Sequence, residues 1–93
     1  MKIPVLVIYD ISIDRVRDRF AKELLLYGIR TQKSLFEAEV TEGELNKLQK
    51  LVDQYASLDR NDTVSLYIME HDAYARTIRM GDVDYLTIDD FVI

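Results

Sequence analysis

The chain has 93 residues, of which 48% are hydrophobic, and its formal net charge at pH 7 is -5. This length favours a single domain over residues 1–93, because chains divide into separate cores only well above about 200 residues. The absence of cysteine excludes disulfides, thiolate zinc sites, iron–sulfur clusters and cysteine nucleophiles. The negative charge argues against a protein that coats nucleic acid with its whole surface, but it leaves room for a local basic patch.

The first predicted element is a strand over the apolar, β-branched run from Ile3 to Tyr9, which ends at Asp10. A continuous apolar run is typical of a strand that is buried on both faces. The run is too short for a membrane helix, and no small-residue cleavage site follows it. We therefore expect a soluble, unprocessed cytoplasmic protein with no membrane partner.

A helix follows, for which Ser12 or Asp14 can provide the N-cap. Its apolar residues recur at three- and four-residue spacing and predict one stripe that faces a sheet. These residues are Val16, Phe20, Leu24 and Tyr27. Gly28 is well placed to end the helix, because glycine adopts a positive φ without strain.

Residues 29–40 are predicted to be extended, with apolar side chains at Phe36, Ala38 and Val40 and acidic ones at the positions between them. The stretch is long for one strand. A bend near residues 32–34 would divide it into two short strands, and the sequence leaves both arrangements open.

A second helix is predicted to begin at a capping box, in which Thr41 and Glu44 each accept an amide hydrogen bond from the other. Its apolar stripe consists of Leu45, Leu48, Val52, Tyr55 and Ala56. After a turn at residues 60–62, alternating apolar positions from Val64 to Ile68 predict a strand that ends near Glu70.

The order strand, helix, extended pair, helix, strand predicts an α+β fold, the ferredoxin-like βαββαβ sandwich, with both helices on one face of the sheet. Residues 76–93 remain as a C-terminal extension, in which Arg76–Met80 and Tyr85–Ile93 read as short extended pieces. A ferredoxin-like sheet has no interior place for them. We therefore expect extra C-terminal strands at a sheet edge, such as the edge of a second subunit in a dimer.

Asp10 is the first candidate for chemistry, because a carboxylate between a buried strand and a helix opens at the rim of the sheet. Mg²⁺ prefers oxygen ligands and commonly takes one or two carboxylates, completed by water and phosphate oxygens. Asp10 is therefore a candidate metal ligand and catalytic residue if a second subunit supplies another ligand. The alternative is a turn or cap residue that accepts amide hydrogen bonds.

Basic residues concentrate in and just after the first helix, in contrast to the acidic remainder of the chain, and such a cluster suits phosphate contacts. The candidates for nucleic-acid binding are Arg15, Arg17, Arg19, Arg30 and Lys33, with Lys22 on the same side of the helix as Arg15 and Arg19. Arg17 lies in the first turn, from which it could reach toward Asp10. The alternative is a solvated helix face balanced by acidic neighbours.

Two aromatic residues, Tyr9 and Phe36, are candidates for stacking on bases, although aromatic residues in strands pack by default into the core. His71 is the single histidine, and beside Asp72 it is more typical of a surface residue than of a general base or metal ligand. The scattered glycines form no phosphate-binding loop.

The string from Val7 to Ser12, followed by Arg17 and Arg19 and then by Gly28 to Glu37, resembles the CRISPR-associated protein 2 family. The family pattern is a strand ending in Tyr-Asp, an arginine-bearing helix, Gly-x-Arg, and Gln-x-Ser-Val-Phe-Glu, in which a leucine replaces the usual valine here. Each piece alone is weak, but their order and spacing as far as Gly81 are fairly specific.

This resemblance implies a ferredoxin-like homodimer in which the C-terminal strand of each subunit completes the sheet of the other. It implies that Asp10 comes to the dimer interface from both subunits and is linked to Mg²⁺. It also implies metal-dependent endonuclease activity, a hydrolase reaction on RNA or double-stranded DNA, in antiviral CRISPR defence. A further implied partner is the CRISPR-associated protein 1 integrase, during the insertion of new spacers.

Three functions remain open from the sequence. The first is a nuclease in which two Asp10 carboxylates hold one Mg²⁺ and Arg17, Arg19 and Arg30 position phosphates. The second is a non-catalytic adaptor that bridges integrase subunits and holds DNA. The third is a ferredoxin-like regulatory module that binds a small ligand between subunits. The sequence does not distinguish RNA from DNA as the substrate.

Overall fold

The computed structural model of the chain describes residues 2–81. Within this range lie four strands, three α-helices and one short 3₁₀ turn. In chain order they are β1 (Ile3–Asp10), α1 (Asp14–Leu24), β2 (Gly28–Gln32), β3 (Leu35–Val40), α2 (Glu42–Tyr55), the 3₁₀ turn (Leu58–Arg60), β4 (Thr63–Ile68) and α3 (His71–Ala75). No helix in the described range combines the length and the apolar character needed to cross a lipid bilayer.

The four strands form one antiparallel sheet in the order β2-β3-β1-β4. β1 is central, so that Val7 lies opposite both Phe36 of β3 and Leu66 of β4. This element order and strand order are those of the ferredoxin-like sandwich, and the predicted fold class is confirmed.

Residues 29–40, for which the sequence left one strand or two open, divide into two strands. β2 ends at Gln32 and β3 begins at Leu35, and these two residues are paired across the hairpin. Lys33 and Ser34 therefore form the turn, and a register shift lies just before it in β2.

The hydrophobic core lies between one face of the sheet and the helices α1 and α2. Val7 and Tyr9 of β1 are at most 2% exposed there, packed in one cluster with Phe20 of α1 and Leu48 of α2. Burial of a large apolar side chain stabilises the fold by about 1.5–3 kcal/mol. On the other face of β1, Ile8 is 44% exposed, so the expectation that this strand is buried on both faces is wrong at that position.

The start of α1 differs from its prediction. The N-cap is Ile13, whose side chain makes no capping hydrogen bond, so neither Ser12 nor Asp14 caps the helix. The Ser12 side chain instead donates a hydrogen bond to Asp62. The start of α2 agrees with its prediction, because both hydrogen bonds of the Thr41 capping box are present.

Gly28 does not end a helix with a positive φ, as the sequence suggested. α1 ends earlier, and Gly28 is the first residue of β2. A Cβ atom added to Gly28 would lie 2.1 Å from the carbonyl oxygen of Glu37. The glycine is therefore required by the close approach of β2 to β3.

The chain after β4 also departs from the prediction. β4 ends at Ile68 rather than near Glu70, and the short helix α3 was not predicted, because five residues show little periodicity. Arg76–Met80 forms no strand, so that part of the predicted extension is wrong. The second extended piece, Tyr85–Ile93, and its pairing with a sheet edge lie outside the described residues.

Candidate functional site

Asp10 is the last residue of β1, and it pairs with Thr63 of β4. Its side chain is exposed. Because side chains alternate along a strand, Asp10 lies on the opposite sheet face from Tyr9, which belongs to the core under α1 and α2. The carboxylate is therefore presented at the rim of the face that these helices leave uncovered.

The described residues do not surround Asp10 with a cluster of metal ligands. Residues 2–81 contain no cluster of three or more His, Cys, Asp or Glu side chains that could hold a metal ion. Mg²⁺ commonly uses one or two carboxylates and completes its shell with water and phosphate oxygens. Asp10 thus fits Mg²⁺ as one ligand of a shared site, but it is not a complete metal cage.

The loop after Asp10 is fixed by a buried carboxylate that the sequence analysis did not single out. Oδ1 of Asp62 accepts hydrogen bonds from the backbone N–H of Ser12 at 3.0 Å and from its hydroxyl at 3.1 Å. Oδ2 accepts from the backbone N–H of Ser57 at 3.0 Å and from the Arg60 guanidinium at 2.8 Å. These bonds join the loop between β1 and α1 to the segment between α2 and β4.

The same contacts keep Asp62 ionised. The backbone hydrogen bond from Ser12 is the largest cause that lowers the pKa of the Asp62 carboxyl, which falls to about 2, and the contacts from Ser57 and Arg60 act in the same direction. Burial opposes this shift. Sequence patterns did not indicate the contact, because Ser12 and Asp62 are 50 residues apart in the chain.

Two of the predicted phosphate-binding residues, Arg17 and Arg30, carry positive charges that act on the hydroxyl of Tyr9. That hydroxyl is buried and has no hydrogen-bond partner among residues 2–81. Burial raises the pKa of Tyr9, and the positive charges of Arg30 and Arg17 oppose this rise. Arg30, which pairs with the core residue Phe36, and Arg17, which belongs to α1, therefore both lie on the helix side of the sheet.

The expected reach of Arg17 toward Asp10 is not formed. Nη2 of Arg17 lies 3.0 Å from Asp14, and its Nε lies 4.0 Å from Asp18. Nε of Arg30 donates to the carbonyl oxygen of Lys33 at 3.0 Å, which holds the guanidinium at the hairpin turn. Both arginines are thus held locally, at a distance from the uncovered sheet face.

The remaining basic candidates are Arg15, Arg19 and Lys33, and all three are exposed. None of them forms an ion pair within the described part of the chain. Arg15 and Arg19 lie on α1, and Lys33 lies in the turn between β2 and β3. Their charges are therefore available to a polyanion without the loss of an existing pair.

Tyr9 and Phe36 are core residues, with exposed fractions of 2% and 1%. The Tyr9 ring makes an edge-to-face contact with Phe20 at a centroid distance of 5.3 Å, and its centroid lies 6.2 Å from that of Phe36. Neither ring presents a face to a base in this arrangement, so the packing alternative describes both residues. His71, which we expected in a loop, begins α3, and its Nε2 is buried.

A second buried carboxylate, Glu37, lies on the sheet face opposite α1 and α2, where Tyr74 of α3 covers it. Although it was expected on the polar side of its strand, it is 1% exposed. Arg79 donates to both oxygens of Glu37, at 2.9 and 2.6 Å, and the Tyr74 hydroxyl also donates to this carboxylate. Burial raises the pKa of Glu37, but the hydrogen bonds from Arg79 and Tyr74 outweigh it, and the net pKa is lowered.

Residues 3–77 match the family model described as CRISPR associated protein Cas2. A curated protein of Mycobacterium tuberculosis named CRISPR-associated endoribonuclease Cas2 is 51% identical over 55 residues, which are 59% of this chain and 49% of that protein. The chain thus spans about half the length of the first curated relatives that it matches. A Thermus thermophilus protein of the same name is 34% identical over 86 residues, 88% of this chain and 86% of that protein.

Solved structures share the fold. Streptococcus pyogenes Cas2 superposes with a TM-score of 0.73 at 26% identity, over 84% of this chain and 99% of that one. A hypothetical protein from Thermus thermophilus gives a TM-score of 0.79 at 27% identity, over 91% of this chain and 98% of that one. A chain of a partial Cas6-RT-Cas1–Cas2 complex gives 0.65 at 22% identity, over 86% and 91%, which is a likeness of fold alone.

Proposed function

Because the chain belongs to the CRISPR-associated Cas2 family, we propose that it is a cytoplasmic CRISPR adaptation protein with magnesium-dependent endonuclease activity. Its substrates are the phosphodiester bonds of RNA or double-stranded DNA. The names of the curated relatives, which are endoribonucleases, favour RNA as the first substrate to test. The observation that carries the proposal is the exposed Asp10 carboxylate at the end of β1, on a loop fixed by Asp62.

The proposed active species is a homodimer in which each subunit contributes one Asp10. A single carboxylate is a weak metal site, and a second copy placed across a two-fold axis would provide the pair that Mg²⁺ commonly uses. The uncovered sheet face supports this arrangement, because Ile8 and Tyr67 are 44% and 52% exposed on it.

The reaction needs a polarised phosphate and an attacking water of lowered pKa, and bound Mg²⁺ supplies both. The chain's own contribution is to hold the Asp10 oxygens at the sheet rim and the nucleic-acid backbone beside them. Arg15, Arg19 and Lys33 are exposed and contact phosphates directly in this proposal. Arg17 exchanges its surface pair with Asp14 for a phosphate, which is feasible because exposed ion pairs contribute about 0–1 kcal/mol.

A second candidate function is a non-catalytic adaptor that holds DNA and bridges subunits of the Cas1 integrase. It needs the fold, the dimer and the basic residues, but not the chemistry of Asp10. Membership of the Cas2 family, together with the exposed Arg15, Arg19 and Lys33, is the reason to keep it. The two functions make opposite predictions for an Asp10 variant.

The deciding experiment incubates the purified protein with labelled single-stranded RNA and labelled double-stranded DNA, with Mg²⁺ and with EDTA. Asp10→Ala is compared with Asp53→Asn, which removes one exposed carboxylate from α2 and serves as the control. We expect cleavage by the wild type and by the control in Mg²⁺ alone, and none by Asp10→Ala. Equal cleavage by Asp10→Ala would remove the catalytic proposal, and tight binding without any cleavage would favour the adaptor.

A further inference from the structure

Asp62 carries an unusual number of contacts for one side chain. Its carboxylate has no exposed surface and receives donors from Ser12, Ser57 and Arg60. Both of its oxygens are used, since Oδ1 faces Ser12 while Oδ2 faces Ser57 and Arg60. Buried carboxylates need such compensation, but three partners from two separate segments also fix those segments relative to each other.

The two segments meet at Asp10. Ser12 follows Asp10 by two residues, and Thr63, the residue after Asp62, is the strand partner of Asp10. Asp62 therefore acts on Asp10 from both sides, along the chain through Ser12 and across the sheet through Thr63. The end of a strand opens at a low free-energy cost unless other contacts hold it. At this end of β1, the hydrogen bonds of Asp62 are such contacts.

We propose that Asp62 is a positioning residue for the Asp10 site, which fixes the loop between β1 and α1 so that the Asp10 carboxylate keeps one direction. This inference rests on one part of the proposed function, the binding of a metal ion by Asp10. A residue that only stabilised the fold would change the fraction of folded protein. A positioning residue changes the rate and the metal dependence of the protein that is folded.

Three variants separate these roles. Asp62→Asn keeps the shape of the side chain but leaves one oxygen to accept hydrogen bonds, whereas both oxygens of the native carboxylate accept them. Ser12→Ala removes the hydroxyl contact and leaves the backbone contact, so it remains informative if Asp62→Asn does not fold. Asp59→Asn is the matched control, because it removes one negative charge from an exposed position three residues before Asp62.

For Asp62→Asn we expect kcat on RNA to fall by about tenfold, in the range for partners that orient a metal ligand. The KM for RNA should be unchanged, and the Mg²⁺ concentration at half-maximal rate should rise. Ser12→Ala should show the same pattern with a smaller effect, and Asp59→Asn should behave as the wild type. Wild-type kcat and wild-type Mg²⁺ dependence in folded Asp62→Asn and Ser12→Ala would overturn the inference while leaving the nuclease proposal intact.

A measurement that does not depend on RNA cleavage distinguishes failure of the nuclease proposal from failure of the positioning inference. Mn²⁺, a paramagnetic substitute for Mg²⁺, should broaden the NMR signal of the Asp10 amide in the wild type and in Asp59→Asn, and broaden it less in Asp62→Asn and Ser12→Ala. If the wild type does not cleave but these differences appear, the nuclease proposal fails and the positioning inference stands. Equal broadening in all variants, or none in the wild type, overturns the inference.

Discussion

Tyr9 and Asp10 are neighbours in the chain but lie on opposite faces of the sheet. Tyr9 is 2% exposed and packs against Phe20, whereas Asp10 is exposed at the rim. Arg30 lies on the Tyr9 side because it pairs with the core residue Phe36, and Arg17 belongs to α1, which packs on that side. Within one subunit the structure thus separates the proposed phosphate-binding groups from the proposed metal ligand, and variants of the two sets should affect binding and turnover differently.

Arg19→Gln tests this separation. Arg19 is exposed on α1, and loss of a phosphate contact reduces the salt dependence of binding by about 0.7 in the log–log slope for a single strand. We expect weaker binding of single-stranded RNA and a smaller slope, with kcat at saturating RNA unchanged. Fluorescence anisotropy from low to high salt measures the slope.

The control for Arg19→Gln is Lys50→Gln, which removes one exposed positive charge from α2, away from the cluster on α1. It should keep the wild-type slope. If both variants reduce the slope equally, the effect comes from net charge, and a specific contact by Arg19 is contradicted.

The sequence predicted those parts of the fold that depend on local patterns. The Thr41 capping box is formed by residues three apart, so it is visible in a short window. The sequence left open whether residues 29–40 form one strand or two, and the structure places a division at Lys33 and Ser34. The ferredoxin-like order follows from the alternation of apolar periods two and 3.6. The helix α3 is too short to show either period.

The parts that were missed depend on contacts between distant residues. Glu37 follows Phe36 on the polar side of an alternating strand. Its burial is explained by Tyr74 and Arg79, which contact it from 37 and 42 residues later in the chain. Asp62 is a turn residue by its local sequence, and its contact with Ser12 spans 50 residues. At the candidate site, Asp10 was predicted from the sequence, whereas the residue that holds its loop required the structure.

Gly28→Ala tests the reason given for this glycine. The added Cβ would lie 2.1 Å from a backbone oxygen, which cannot rotate away, so β2 must separate from β3. We expect a loss of at least about 2 kcal/mol in the free energy of unfolding, as for other overpacked positions. Urea denaturation followed by circular dichroism measures it.

Gly43→Ala is the matched control for Gly28→Ala. Gly43 lies in α2, and the nearest atom to an added Cβ is 3.9 Å away. Alanine is a better helix former than glycine by about 0.8–1 kcal/mol, so this variant should be as stable as the wild type or more stable. If Gly28→Ala were equally tolerated, the close-approach explanation would be wrong.

Glu37→Gln tests the buried pair with Arg79. Removing one charge of a buried pair leaves the other uncompensated, at a cost of about 3–5 kcal/mol. The Arg79 side chain is 19% exposed. We therefore expect the free energy of unfolding to fall by an amount at the lower end of this range, about 3 kcal/mol. The control Asp53→Asn, which removes one exposed carboxylate from α2, should change stability by less than about 0.5 kcal/mol. Equal stability of the two variants in urea would show that the pair contributes little.

The pH dependence of stability should report on Asp62. The pKa of this carboxyl is about 2 in the folded chain, against an ordinary value of 3.8. The unfolded chain therefore binds the proton first as the pH falls, so the stability that Asp62 contributes is complete above about pH 4 and disappears toward pH 2. Glu37, whose pKa is also lowered, contributes in the same direction, so the wild type should lose stability steeply in acid.

Asp62→Asn should be less stable than the wild type at pH 7, and its free energy of unfolding should decline less between pH 4 and pH 2, because the titrating group is gone. Asp59→Asn, whose carboxylate is exposed, should follow the wild-type curve. Urea denaturation at several pH values in this window measures both slopes. Parallel curves for the wild type and Asp62→Asn would mean that Asp62 titrates alike in the folded and unfolded chains. In that case its hydrogen bonds with Ser12 and Ser57 would be too weak to hold the loop beside Asp10.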